Sequence, residues 1–190
     1  MKRLKLILAS SSPRRRELME YTGIPFEVKV SDAEEASEGA PEWLVTENAR
    51  LKGAAVAAMH PDAVVLSSDT LVYLPDTGKV LGKPRNEEEA VSMLLSMQGR
   101  WHEVYTGVCV MHEGRQDVRY DKARVLFDPL TEDTIRKYVA TGEPMDKAGS
   151  YALQGRGGMF VRAIDGSYSC VIGLPMATVR EMLMPYGLID

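Results

Sequence analysis

LILASSSPRRREL, residues 6–18, decides the fold. Lys5 to Ala9 reads as a short buried strand, and Ser12 followed by Pro13 reads as the N-cap and first position of a helix. That helix runs to about Thr22, where Gly23 and Pro25 stop it. A strand that turns directly into a helix opens an α/β or α+β chain. The turn also carries a conflict. Arg14, Arg15 and Arg16 fill the first helical turn, where the dipole is positive and each cation costs about 0.3 to 1 kcal/mol. Glu17 lies three residues after Arg14 and Glu20 four after Arg16, but Arg15 meets only Leu18 and Met19 at those spacings. Two readings stay open. A bound phosphate resolves the conflict, because free N–H groups, serine hydroxyls and guanidinium forks converge on it; otherwise the arginines reach solvent or pair with distant acids.

The rest of the chain alternates strands and helices without repeats or low-complexity linkers. Phe26 to Val30 alternates like a strand, Ser31 to Ala40 reads as an acidic loop, and Pro41 opens a long helix to about Met59. Val64 to Leu74 is a strand, followed by the Pro75 to Gly78 turn and Lys79 to Leu81 as a hairpin. Glu87 to Met97 is a helix, and Glu103 to Met111 and Gln116 to Phe127 are strands joined at Glu113-Gly114. Thr131 to Ala140 is a helix ended by Gly142, Gly155 to Gly158 a glycine-rich loop, and Gly173 to Tyr186 a final helix.

At 190 residues the chain makes one domain most economically, with room for two lobes. Hydrophobic residues at 45% and charged residues at 26% argue against disorder or a fibrous repeat. No stretch approaches the roughly 20 apolar residues of a membrane helix. Lys2, Arg3 and Lys5 before Leu6 to Ala9 imitate an export leader, but the apolar core is shorter than the ~7 to 15 residues required. A cytoplasmic protein is expected. Cys109 and Cys170, with no CxxC, read as buried thiols and not a disulfide. A net charge of −4 argues against general nucleic-acid binding, so an anionic partner must meet a local basic site.

Two further anomalies stand out. On the long helix, Val45, Ala49, Val56 and Met59 share a face with Asn48 and Lys52 in its middle. A lysine there snorkels, pairs with an acid or serves a site. In VVLSSDTLVYL, residues 64–74, Asp69 falls at sheet depth. It is either a structural carboxylate satisfied by backbone N–H groups or a metal ligand or general base at a strand end. Lys83 in GKP and the DKAGSYALQG stretch, 146–155, are weaker signals. His60, His102 and His112 lack ligand spacing, so oxygen donors such as Glu35 and Asp69 point to Mg²⁺ or Mn²⁺ over zinc. One candidate base, an acidic loop and isolated cations, without a GxxxxGK[ST] loop, favour phosphoryl chemistry by positioning and electrostatics.

These stretches resemble the Maf family of nucleoside triphosphate pyrophosphatases. LASSSPRRREL is similar to that family's N-terminal signature, and ENARLKGAA, SSDTLV, LGKP, HEVYTGV, DKAGSYALQG and GSYSCVIGLP follow in its order and approximate spacing. The resemblance implies one α/β domain over residues 1–190. It also implies a twisted mixed sheet with flanking helices and two lobes around a cleft, like the inosine triphosphate pyrophosphatases. It further implies metal-dependent hydrolysis of a nucleoside triphosphate to the monophosphate and pyrophosphate. Carried over by motif, Asp69 is the proton acceptor that activates water. Ser10, Ser12, Arg15, Lys52 and Lys83 hold the triphosphate, and Glu35 with Asp69 holds the divalent cation. Arg14, Thr70 and Gln154 resemble the branch that takes dTTP and UTP, with modified pyrimidine triphosphates a further expectation. The Gln154 amide offers paired hydrogen bonds to a pyrimidine edge. Rival expectations are a pyrophosphatase for 7-methyl-GTP or non-canonical purines, and a noncatalytic nucleotide-binding regulator of septum formation. No nucleic acid or membrane partner is expected; a homodimer is left open. Two departures from the family pattern are Cys170, where Asn is common, and Leu51-Lys52-Gly53, where a charged pair precedes Ala.

Overall fold

The computed structural model describes residues 4–190; Lys2 and Arg3 of the leader-like start lie outside the described residues. Strand β1 (Leu6–Ala9) leads into helix α1 (Pro13–Glu20), strand β2 (Phe26–Val28) and helix α2 (Pro41–Ala57). Then come β3 (Val64–Leu74), β4 (Lys79–Leu81), α3 (Glu87–Met97), β5 (Trp101–His112) and β6 (Arg115–Phe127). Helix α4 (Glu132–Val139), β7 (Val161–Asp165), α5 (Tyr168–Ile172) and α6 (Met176–Leu183) complete the chain, with 3₁₀ turns between α4 and β7.

The strands form one seven-stranded sheet in the order β2-β1-β3-β5-β6-β7, with β4 paired to β3. All four residues of β1 are buried. This strand lies parallel between two others, Leu6 facing Phe26 of β2 on one side and Val64 of β3 on the other. Parallel neighbours need a crossover, which α1 supplies between β1 and β2 and α2 between β2 and β3. β4 runs antiparallel on β3, and β7 antiparallel on β6 with a register shift between Leu126 and Phe127. The sheet is therefore mixed and helix-flanked, the α/β class expected. Glu113 and Gly114 both take positive φ, 46° and 75°, as a two-residue hairpin turn demands.

The chain divides into two compact units. The first takes in the chain up to Asp69, Thr106–Asp121 and Gly173–Asp190; the second takes in Thr70–Tyr105 and Lys122–Ile172. In the first, Ile7, Ala49, Val56, Val65 and Cys109 pack in one apolar cluster. Two close approaches set its geometry. A Cβ on Gly107 of β5 would collide with the Val45 carbonyl of α2, and one on Gly53 of α2 would lie 2.6 Å from Ser67 Oγ of β3. Small residues at these points let α2 lie directly on the strands. In the second unit, Val72, Leu94, Met97, Phe127, Ile135 and Tyr151 belong to a separate cluster.

Three expectations are corrected. Helix α2 ends at Ala57, so Met59 lies past its face and is 64% exposed. The final helix, α6, begins at Met176 and not at Gly173, because Gly173 takes φ 123° and Pro175 is the N-cap; a 3₁₀ turn, Met184–Tyr186, carries it on to the expected end. Strand β7 and helix α5 occupy a stretch where neither was anticipated.

Candidate active site

The turn after β1 is built from serine hydroxyls. Ser10 is buried and its Oγ accepts from the Ser12 N–H at 3.1 Å. Ser12 sits in extended backbone as N-cap of α1, its Oγ accepting from Arg15 N–H at 3.4 Å, and no acidic residue occupies the first turn. The arginines then diverge. Arg15 is half-buried and turns inward, Nε donating to the Gly173 carbonyl at 2.7 Å and Nη1 to Ser10 Oγ at 3.5 Å. Burial lowers its pKa; Asp69 and Glu35 pull the other way, and Arg14 adds to the lowering. Arg16 lies on the surface and donates to Glu20 at 3.0 Å.

Helix α2 and strand β3 contribute the charged centre. Lys52 Nζ lies 2.7 Å from Asp69 Oδ1 and 3.1 Å from Glu35 Oε1. The Lys52 and Asp69 side chains are only 17% and 13% exposed, so the lysine does not snorkel and the aspartate is not satisfied by backbone N–H groups alone. Asn48, one turn before Lys52 on the same face, donates to Asp69 Oδ2 at 3.4 Å. The two serines before Asp69 anchor its strand. Ser67 Oγ donates to Ala49 O at 2.6 Å, and Ser68 Oγ to Gly107 O at 2.8 Å and Gly173 O at 3.0 Å. The Gly173 carbonyl thus accepts from both Arg15 and Ser68, tying the cation-bearing turn to the strand that presents Asp69. Ser10, Ser12, Arg15, Glu35, Lys52 and Asp69 all belong to the first unit.

Thr70, Lys83 and Gln154 belong to the second unit. Thr70 is half-buried, while Lys83 after β4 and Gln154 before the glycine-rich turn are exposed. The backbone around them is firmly held. Gly149 N–H donates to Gly82 O at 3.1 Å, joining the DKAGS segment to the GKP segment. Gly149 has φ 69°, and a Cβ there would meet Val72 Cγ2 at 2.7 Å. Glu143 organises the loop after Gln154. It accepts from the N–H groups of Arg156 and Gly157 at 3.0 Å each and from the Tyr138 hydroxyl. Burial opposes ionisation of Glu143, yet these hydrogen bonds hold its carboxyl below the ordinary range. Lys147 is a structural tie, donating to Glu143 O at 2.6 Å and Asp146 Oδ1 at 2.7 Å.

The family model for Maf-like proteins matches residues 5–186. The chain belongs to that family. It is similar to a dTTP/UTP pyrophosphatase of Pelotomaculum thermopropionicum, 46% identical over 96% of this chain and 97% of the relative. It is also 47% identical to a dTTP/UTP pyrophosphatase of Bacillus mycoides, over 94% of each. Among solved structures it is similar to a HAM1 protein from Coxiella burnetii, at TM-score 0.47 and 13% identity over 83% of this chain and 91% of that one.

Both departures from the Maf pattern have local explanations. Cys170 is fully buried, with Sγ 3.7 Å from Val104 O, so this position is a core contact in this chain. Gly53 faces Ser67, as described. Both cysteines are buried and outside any disulfide, and burial pushes the Cys109 thiol up to about 12. Among the described residues no group of three or more His, Cys, Asp or Glu side chains is placed to hold a metal ion. Glu35 and Asp69, bridged by one ammonium, form a two-carboxylate oxygen set. That set fits a hard cation such as Mg²⁺, which commonly takes one or two carboxylates and draws its other oxygens from phosphates and water. Asn48 and Glu143, which hydrogen-bond Asp69 and the loop after Gln154, are not among the site residues that the family resemblance implies. Asn48 had a signal in its spacing from Lys52; Glu143 had none, because two of its partners are backbone N–H groups.

Proposed function

We propose that this Maf-family chain hydrolyses dTTP and UTP to the nucleoside monophosphate and pyrophosphate. One observation carries the reading: Lys52 joins Asp69 to Glu35 in a chain 46% identical, nearly end to end, to a relative named for that activity. Water attacks the α-phosphorus, Asp69 takes the proton, and the bond from that phosphorus to the bridging oxygen breaks to release pyrophosphate. Ser10, Ser12 and Arg15, at the N-terminus of α1, bind phosphate oxygens with Lys52 and Lys83. An arriving triphosphate competes with Asp69 and Glu35 for the Lys52 ammonium, freeing the Asp69 carboxylate to act as base. Glu35 and Asp69 hold Mg²⁺ or Mn²⁺, which when bound supplies charge neutralisation and orientation of phosphate oxygens. Arg14, Thr70 and Gln154 select the base, the Gln154 amide pairing with the pyrimidine edge.

We place the enzyme in the cytoplasm, in keeping with two buried cysteines outside any disulfide. No helix among the described residues is long and apolar enough to cross a membrane. The deciding experiment is kcat/KM for dTTP, UTP, CTP, GTP, ITP and 7-methyl-GTP with pyrophosphate as readout. The expected result favours dTTP and UTP over the purine nucleotides by about tenfold or more. A preference for 7-methyl-GTP overturns the roles of Arg14, Thr70 and Gln154, and turnover of none overturns the catalytic reading.

A further inference from the structure

Helix α2 carries two side chains that each link the acidic loop to Asp69. Lys52 touches Glu35 and Asp69; Asn48, four residues earlier, touches Ala36 and Asp69. Asn48 is 5% exposed. Its Oδ1 accepts from Ala36 N–H at 2.7 Å, and its Nδ2 donates to Ala36 O at 3.0 Å and Asp69 Oδ2 at 3.4 Å. The amide orientation follows from this pattern, because the Ala36 N–H demands an oxygen and the Ala36 carbonyl and Asp69 carboxylate demand donors. Residues 31–37 have no regular secondary structure of their own, so the two bonds to Ala36 dock the acidic loop beside Glu35.

The two links differ in kind. Lys52 is a charge on a flexible stem that a polyphosphate can draw away; Asn48 is neutral, short and buried, with no comparable attraction to phosphate. Once Lys52 turns toward an anion, Glu35 and Asp69 face each other as like charges and tend to separate. We propose that Asn48 is a positioning residue that keeps the Glu35 and Asp69 carboxylates at cation-binding separation after Lys52 has moved to the substrate. This inference rests on the proposed function and adds to it a part outside the catalytic and phosphate-binding set. An outer-shell partner of this kind is worth about 10- to 100-fold in metal affinity.

The test uses the full chain with Asn48→Ala and the near-isosteric, uncharged Asn48→Leu, which keeps the size of the side chain and loses its acceptor and both donations. Mn²⁺ affinity is read by EPR titration, with and without a non-hydrolysable dTTP analogue, beside kcat, KM and thermal midpoint. The expected result is Mn²⁺ affinity weakened about tenfold or more in both variants, a matching drop in kcat, and KM for dTTP within about twofold. Wild-type Mn²⁺ affinity in the folded variants overturns the proposal, whatever their melting points, and so does a wild-type chain that binds no Mn²⁺ in either state. A wild-type chain inactive on dTTP and UTP, whose Mn²⁺ affinity still falls in the variants, refutes the proposed function and leaves the role of Asn48 standing.

Discussion

Lys52 Nζ lies 2.7 Å from Asp69 Oδ1, a nearly buried ion pair between the middle of a helix and the middle of a strand. The pair neutralises Asp69 in a setting where an isolated carboxylate is costly. It also places a phosphate-seeking cation on the proposed base, so binding and activation are coupled through one side chain.

The coupling gives two variants with different signatures. Asp69→Asn keeps the size of the side chain and removes the proton acceptor, so kcat for pyrophosphate release falls about 10²- to 10⁴-fold. KM changes little. Lys52→Met removes the ammonium, leaving Asp69 and Glu35 without their shared counter-charge. That variant loses stability by about 1–3 kcal/mol, the pair being mostly but not wholly buried, and its KM rises. Steady-state kinetics and urea denaturation on both proteins check the contrast. Unchanged turnover in Asp69→Asn removes that residue from the role of base.

Much of this centre was legible in the sequence, and what was not has a physical cause. The bounds of β3 and α3 match the pattern of apolar residues, because alternation and helical periodicity survive wherever one face is buried. The serine cap of α1 was readable because capping chemistry is local. Strand β7 was not, since it exists by pairing with β6 across a register shift and its propensity is weak in isolation. Lys52 was visible as a misplaced charge and Asp69 as a carboxylate at sheet depth, but their pairing with each other and with Glu35 was not, because Glu35 lies in an aperiodic loop and Asp69 on another element. Glu143 and the Ala36 end of the Asn48 clamp work through backbone groups, which leave no mark on residue identity.

Arg15 and Arg16 are adjacent in sequence, yet only Arg15 should respond to replacement by lysine. The Arg15 guanidinium spans Gly173 O and Ser10 Oγ, a fork that a lysine ammonium cannot reproduce. Arg15→Lys is expected to raise KM for dTTP about tenfold or more. Arg16 makes an exposed pair with Glu20 worth about 0.3–0.5 kcal/mol. Arg16→Lys should therefore leave kcat/KM within about twofold of wild type. Kinetics of the two variants side by side decide the matter, and equal losses would show that the inward turn of Arg15 has no bearing on substrate.

His102 in the second unit makes folding stability depend on pH. Its ring is fully buried, Nε2 lies 2.8 Å from the Tyr151 hydroxyl, and Nδ1 has no hydrogen-bond partner among the described residues. The Phe127 ring packs edge-on at 4.9 Å. Burial lowers the imidazole pKa from 6.5 to about 3, so the folded chain refuses a proton that the unfolded chain accepts below pH 6.5. For a depressed pKa the stability is present above the unfolded value and drains away as pH falls toward the folded one. Between pH 6.5 and pH 5 the loss attributable to His102 is about 1–2 kcal/mol. His102→Gln removes the titration and keeps a hydrogen-bonding partner for Tyr151. Urea unfolding of both proteins at pH 7.5, 6 and 5 should show a steeper decline in wild type than in the variant. Parallel declines would mean that the imidazole reaches solvent or finds a partner when charged.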